Sequence, residues 1–112
     1  MHLKFLQLST FLLAVLFSAG LLAGQAYWID VRTPEEYAAD HVSMAVNIPY
    51  EEIGDRISEV TSDKDAEIFV YCRTGHRAGI AKDTLENGGY THVTNLLSLE
   101  NAKAKATQAT AE

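Results

Sequence analysis

The sequence has a single cysteine and few basic residues. With only Cys72, the chain can form no internal disulfide and no zinc or iron–sulfur site that needs several cysteines. Its 112 residues include 9 lysines and arginines against 15 aspartates and glutamates, a formal net charge of −6. This acidic balance argues against a nucleic-acid partner, because nucleic-acid binders present basic patches. A chain of this length is expected to form one domain.

Hydrophobic residues are concentrated at the N-terminus. Residues 1–26 hold 17 of them behind one basic residue, Lys4, and end with small side chains at Gly24 and Ala26. A basic start, a short apolar centre and a small-residue end are typical of secretory signal peptides. We therefore expect residues 1–26 to be a signal peptide, cleaved after Ala26 to give an exported, periplasmic protein without stable membrane association. The alternative is an uncleaved anchor, although the apolar centre is short for a membrane span.

Strand and helix patterns alternate over residues 27–98, which we assign as the folded domain. Runs rich in aromatic, β-branched and other apolar residues predict strands at 27–32, 45–48, 68–72 and 91–97. Helical patterns separate these strands at 33–40, 51–60 and 78–86. This alternation predicts an α/β fold with a parallel β-sheet that is flanked by helices on both faces.

The first predicted helix has a clear start signal, whereas the C-terminal segment has only a weak helical signal. Thr33, Pro34 and Glu36 form a capping-box signature with proline at the first helical position, which predicts a helix start. Residues 99–112 form a low-complexity C-terminal tail with the composition of a frayed helix, and this composition gives little reason to pack.

Cys72 lies where a buried strand is expected to end and a polar loop begins. Ligands of parallel α/β sheets bind beyond these carboxyl ends. The loop carries Gly75 and two cations, Arg73 and Arg77, and the N–H groups of the following helix start favour an anion. We therefore expect the Cys72 thiolate to be favoured and to act as a nucleophile. The alternative is a buried core thiol, since free cysteine is among the most buried residue types.

Three segments resemble the signatures of the rhodanese family. They are Trp-Ile-Asp-Val-Arg at 28–32, the stretch from His41-Val42 to Asn-Ile-Pro at 47–49, and Cys-Arg-Thr-Gly-His-Arg at 72–77. The chain most resembles the small, exported, single-domain thiosulfate sulfurtransferases of that family. The resemblance covers most of residues 28–95, and the cysteine loop is its most specific part.

The resemblance implies a rhodanese-like fold and a sulfurtransferase mechanism. The Cys72 thiolate would take the outer sulfur of thiosulfate, and the resulting persulfide would pass it to a thiophilic acceptor such as cyanide or a thiol. The partners are then small molecules, no metal or organic cofactor is needed, and we expect a monomer.

The same resemblance assigns roles to the site residues. Cys72 is the catalytic residue, and the substrate-binding residues are Arg73, Thr74, Gly75, His76 and Arg77. The two loop arginines would bind the departing sulfonate oxygens, whereas His76 either touches substrate or faces solvent. Asp30 and Arg32 are supporting residues, which we expect to pair with each other or to hold the loop backbone.

Two other functions stay open. Phosphatases and arsenate reductases of related folds place five residues between the loop cysteine and its arginine, whereas four separate Cys72 from Arg77. This shorter loop favours the binding of a single sulfur atom over the binding of a phosphoryl group. The other alternative is a non-catalytic sulfur carrier or anion-binding module. The family usually carries a glycine pair after the last strand, where this chain has Leu97 and Ser98, and we expect their side chains to narrow or reshape the pocket.

Overall fold

The computed structural model describes residues 25–111, and its four strands run parallel in one sheet in the order β2-β1-β3-β4. The strands are β1 (Ala26–Asp30), β2 (Val46–Asn47), β3 (Glu67–Cys72) and β4 (His92–Ser98). β1 pairs with β2 and β3, and β3 pairs with β4, all in parallel register. The predicted α/β fold with a parallel sheet is confirmed, and each strand lies within a few residues of its predicted position.

Within the described residues, four α-helices connect or follow the strands. They are α1 (Pro34–Ala39), α2 (Ile53–Arg56), α3 (His76–Asn87) and α4 (Leu99–Ala111). α1 begins at the predicted capping box, in which the Thr33 hydroxyl accepts the Glu36 N–H at 3.2 Å and the Glu36 carboxylate accepts the Thr33 N–H at 3.1 Å. The single helix predicted at 51–60 is instead α2 with a 3₁₀ turn on each side, while Ile53 and Ile57 keep their buried positions.

Alternate residues of the strands supply two separate cores. One face of the sheet packs against α2 and α3, and its buried strand residues include Ile29, Ile68, Val70 and Cys72. The opposite face packs against α4, and its buried strand residues are Trp28, Phe69 and Tyr71. This two-residue period is the one that pleating imposes on side chains. Helices therefore cover both faces, as predicted.

The C-terminal segment packs, so the expectation that it would not is wrong. Residues 99–111 form α4, in which Ala102 is 0% exposed and Ala106 is 9% exposed against the aromatic face of the sheet. Alanines four residues apart lie on one side of a helix. Their small side chains give a narrow apolar stripe that lets α4 approach Trp28 and Phe69 closely.

The predicted signal peptide lies outside the described residues, except for its last two positions. Ala26 is the first residue of β1, where it pairs with Glu67 of β3. None of the helices within residues 25–111 has the length and apolar character needed to cross a membrane.

Candidate functional site

The candidate site lies at the edge of the sheet where the strands end. Asp30, Asn47, Cys72 and Ser98 are the last residues of β1, β2, β3 and β4. The Asn47 side chain donates to the carbonyl oxygens of Asp30 and Arg32, each at 3.0 Å, and so joins the chain leaving β1 to β2. Polar residues at this edge are therefore organised by the ends of neighbouring strands, where α/β folds bind ligands.

The sulfur of Cys72 lies in a cradle of backbone groups. Its Sγ accepts the N–H of Gly75 at 3.0 Å and the N–H of Ala78 at 3.4 Å, and the thiol donates to the carbonyl oxygen of Leu97 at 3.6 Å. The N–H groups of a helical first turn have no partner inside their helix. At the start of α3, the sulfur is the acceptor for such N–H groups. Two N–H donors aimed at one sulfur favour negative charge on it.

The loop between Cys72 and α3 turns because of a glycine. Gly75 has φ +105°, which L side chains rarely adopt, and it is buried. Arg73, Thr74 and His76 are exposed around it, and their side chains make no hydrogen bond to a residue in the described range. Their polar side-chain groups therefore face solvent.

Arg77, the last residue of the loop motif, is paired with α1. Its Nη1 and Nη2 donate to the two carboxylate oxygens of Glu36 at 2.7 and 3.1 Å, a bidentate ion pair between side chains that are about one quarter exposed. The hydrogen bonds from Arg77 are the main cause that lowers the pKa of Glu36 to about 2. Glu36 in turn raises the pKa of Arg77. The guanidinium thus stays charged and ties the start of α3 to α1.

Asp30 and Arg32 form a buried ion pair beside the site. Asp30 is 0% exposed, and its carboxylate accepts from the Arg32 backbone N–H at 2.9 Å and from Arg32 Nη2 at 2.6 Å. Arg32 Nη2 also donates to the Asp40 carbonyl at 2.6 Å. The hydrogen bond to Asp30 raises the pKa of Arg32, and burial raises the pKa of the adjacent Tyr71 phenol. The two supporting residues therefore pair with each other and hold the chain that leaves β1.

Leu97 lies against the loop in an unusual backbone conformation. Its φ is +75°, and its Cδ2 is 2.8 Å from the point where a Cβ on residue 75 would lie. A left-handed conformation costs a non-glycine residue of the order of 1–2 kcal/mol. Leu97 therefore makes a side chain at position 75 impossible without rearrangement, and it forms one wall beside Cys72.

Sequence reasoning missed two members of this site. Glu36 carried a capping signature but no signal for Arg77, because a contact between α1 and α3 depends on how the helices pack. Asn95 carried no signal for a contact with the loop, yet its Nδ2 donates to the Gly75 carbonyl at 3.0 Å. The only local hint was its position near the carboxyl end of a predicted strand.

A separate cavity lies at the opposite edge of the sheet. It has a volume of about 530 Å³ and is lined by residues that include Ala26 and Glu67, which begin β1 and β3, and Lys105 of α4. It contains neither Cys72 nor any residue of the cysteine loop. The buried Cys72 sulfur therefore lies at the other edge of the sheet, away from this cavity.

The chain is similar in sequence to known sulfurtransferases. Residues 16–98 match the family model described as the Rhodanese-like domain. Thiosulfate sulfurtransferase PspE of Escherichia coli (strain K12) is 44% identical over 89 residues, which cover 80% of this chain and 85% of that protein. Thiosulfate sulfurtransferase 16, chloroplastic, of Arabidopsis thaliana is 36% identical over 95 residues, which cover 76% of this chain and 78% of that protein.

Solved structures give the same result for the fold. A rhodanese with anions from E. coli superimposes with a TM-score of 0.66 at 44% identity, over 69% of this chain and 91% of that one. The human single-domain sulfurtransferase TSTD1 superimposes with a TM-score of 0.57 at 26% identity, over 70% of this chain and 80% of that one. Sequence and fold thus agree on one family.

Proposed function

Because the chain belongs to the rhodanese-like domain family, we propose that it is a thiosulfate sulfurtransferase that works through a persulfide on Cys72. The observation that carries this proposal is the cradle of the sulfur, in which the N–H groups of Gly75 and Ala78 lie 3.0 and 3.4 Å from Sγ. Such donors stabilise a thiolate before the reaction and an anionic persulfide after it.

The first step forms the persulfide. The Cys72 thiol loses its proton to solvent, and the thiolate attacks the outer sulfur of thiosulfate. The sulfur–sulfur bond of thiosulfate breaks, and its electron pair leaves with sulfite. A new bond joins Sγ to the transferred sulfur, which now carries the negative charge, so no oxidant or reductant is consumed.

The second step returns the thiolate. A thiophilic acceptor, either cyanide or a thiolate, attacks the outer sulfur of the persulfide. The bond between Sγ and that sulfur breaks, and its electron pair stays on Cys72. Cyanide leaves as thiocyanate, and the enzyme is ready for another cycle. Because Cys72 Sγ is the nucleophile of the first step and the leaving group of the second, and carries negative charge in both roles, the two backbone donors serve both steps.

Arg73 is the proposed first contact for the sulfonate group. Its side chain is exposed beside Cys72 and makes no hydrogen bond to a described residue, whereas the Arg77 guanidinium is held by Glu36. An arginine offers a rigid fork of donors that suits oxyanions. Arg77 adds positive charge to the same loop, and Thr74 and His76 supply its other exposed polar side chains.

The proposed setting is an exported, periplasmic one. We propose that signal peptidase removes residues 1–26 and that the mature protein acts as a monomer on small molecules. The support is the apolar N-terminal segment with its small-residue end. The partners are an anionic sulfur donor and a thiophilic acceptor.

Intact mass spectrometry tests the proposal on protein purified from the exported fraction. Thiosulfate should add the mass of one sulfur atom, and cyanide should remove it. Cys72→Ser is the matched control, since the chain then has no thiol. The same spectrum shows whether the chain begins at Tyr27. Reduced, folded protein that gains no sulfur would refute the persulfide mechanism.

A second assay separates transfer from its alternatives. Catalytic turnover of thiosulfate with cyanide, lost in Cys72→Ser, is the expected result. A persulfide that forms but never turns over would point to a sulfur carrier. Hydrolysis of an aryl phosphate that depends on Cys72 would favour phosphatase chemistry over sulfur transfer.

A further inference from the structure

Both the nitrogen and the oxygen of the Asn95 side-chain amide form hydrogen bonds with the backbone around Cys72. From β4, its Nδ2 donates to the carbonyl oxygen of Gly75 at 3.0 Å. Its Oδ1 accepts the backbone N–H of Leu97 at 2.8 Å. An asparagine that bonds the backbone two residues further on is a common way to fix a turn. One partly buried side chain therefore connects the cysteine loop to the end of β4.

These two bonds complete a ring of hydrogen bonds that contains the sulfur. Gly75 donates its N–H to Cys72 Sγ, and the Cys72 thiol donates to the Leu97 carbonyl. Asn95 then joins Leu97 back to Gly75. Without the Asn95 side chain, the ring is open, and no side chain links the backbone at Leu97 to the backbone at Gly75.

The backbone at both contact points needs such support. Gly75 and Leu97 have φ values of +105° and +75°. Between the pairs Val70↔Asn95 and Cys72↔Ser98, β4 has one residue more than β3, so the strand bulges. Bulges beside active sites re-aim backbone and side-chain groups. In this bulge, the Asn95 side chain holds the strained residue in place.

The Gly75 carbonyl oxygen has a second hydrogen-bond donor, which belongs to α3. The Gly75 carbonyl also accepts the N–H of Gly79 at 2.8 Å, the first bond of α3. This bond keeps α3 in place when residue 95 is changed. A change at residue 95 should therefore act on the loop that precedes the helix and leave the helix itself folded.

We propose that Asn95 is a positioning residue, which aims the Gly75 N–H at the sulfur of Cys72 and fixes the Leu97 backbone beside it. Asn95 does not touch the reacting atoms. Its effect on turnover rests on the proposed sulfurtransferase function, whereas its effect on the loop does not.

The variants are Asn95→Ala, which removes both bonds, and Asn95→Asp, which keeps an acceptor for Leu97 but removes the donor to Gly75. Thr94→Ala is the matched control, because Thr94 is the exposed neighbour on the same strand. Four quantities are measured: kcat for thiosulfate with cyanide, KM for thiosulfate, the thermal midpoint, and the hydrogen exchange of the Gly75 amide against that of Leu85 within α3.

Asn95→Ala should lower kcat about tenfold, because a small displacement of a reacting group is costly, with KM within about twofold. Gly75 exchange should rise about tenfold while Leu85 exchange and the Thr94→Ala protein stay at wild-type values. Asn95→Asp should match Asn95→Ala in kcat and in Gly75 exchange. Wild-type kcat and exchange in either folded variant would overturn the proposal, and if Asn95→Ala does not fold, Asn95→Asp decides.

The exchange measurement also separates the two proposals. If wild-type protein shows no sulfur transfer but Gly75 exchange still rises in Asn95→Ala, the proposed function fails and the positioning role stands. If wild-type protein transfers sulfur and Asn95→Ala is unchanged in both quantities, the function stands and the positioning role fails.

Discussion

Replacing Glu36 by glutamine should make the protein less stable at neutral pH but not at low pH. The carboxylate of Glu36 accepts two hydrogen bonds from Arg77 and also caps α1 through Thr33. Glutamine keeps an acceptor oxygen for the capping box, which accepts either residue. The substitution therefore removes the charge of the ion pair and leaves the helix start intact.

The size of the effect follows from the lowered pKa of Glu36. Its pKa falls from an ordinary 4.5 to about 2. At about 1.4 kcal/mol per unit, the shift sets an upper bound of roughly 3.5 kcal/mol on what the charged Glu36 side chain contributes to the free energy of unfolding. Since the Glu36 side chain is 23% exposed, solvent screening reduces the expected loss to about 1–2 kcal/mol. A pKa lowered by folding stabilises fully above pH 4.5, and this contribution disappears as the pH falls towards 2.

Urea unfolding followed by fluorescence of the single tryptophan, Trp28, measures this difference. Wild type and Glu36→Gln should differ by about 1–2 kcal/mol at pH 7, and the two curves should converge as the pH is lowered towards 2. Glu35→Gln, an exposed neighbour with the same change in charge, should match wild type throughout. A difference that is as large at low pH as at pH 7, or that Glu35→Gln reproduces, would refute the reasoning.

Three further substitutions test other parts of the structure. Arg73→Ala should raise KM for thiosulfate about tenfold, through loss of a charge-assisted contact, and an unchanged KM would remove Arg73 from donor binding. Arg32→Met should lower the free energy of unfolding by about 3–5 kcal/mol, because it leaves the buried Asp30 carboxylate unpaired; a loss below about 1 kcal/mol in urea unfolding would contradict this role. Ala102→Leu should lower the free energy of unfolding by about 1–3 kcal/mol, because the larger side chain overpacks the contact between α4 and the sheet. Ala104→Leu, at an exposed position of α4, should leave it unchanged. Equal thermal midpoints for the two variants would mean that α4 does not pack there.

Local patterns predicted the elements that local interactions determine. The capping box at Thr33 and Glu36 involves residues three apart, and it forms as the sequence indicates. The continuous apolar run that ends at Cys72 is the central strand β3, buried on both sides. The loop after it presents N–H groups to the sulfur because strand, loop and helix follow one another directly along the chain.

Contacts between distant segments were not predictable in this way. The pair of Glu36 and Arg77 depends on where α1 lies relative to α3. The strain at Leu97 depends on a bulge that pairing with β3 creates. The packing of α4 was missed because its apolar stripe consists of alanines. The spacing of Ala102 and Ala106 is helical, and that period could have indicated a buried side.

The central position of β3 has a consequence for how the reactive thiol comes into being. Cys72 reaches its 1% exposure only after β3 has paired with β1 and with β4, which lie on either side of it in sequence. In the oxidising compartment proposed for this protein, the nascent thiol is accessible before then and has no second cysteine of its own chain to bond with. Folding and mixed-disulfide formation therefore compete for one sulfur atom. The yield of active protein is set by the ratio of their rates, and dilution or a reductant during refolding shifts that ratio towards the active form.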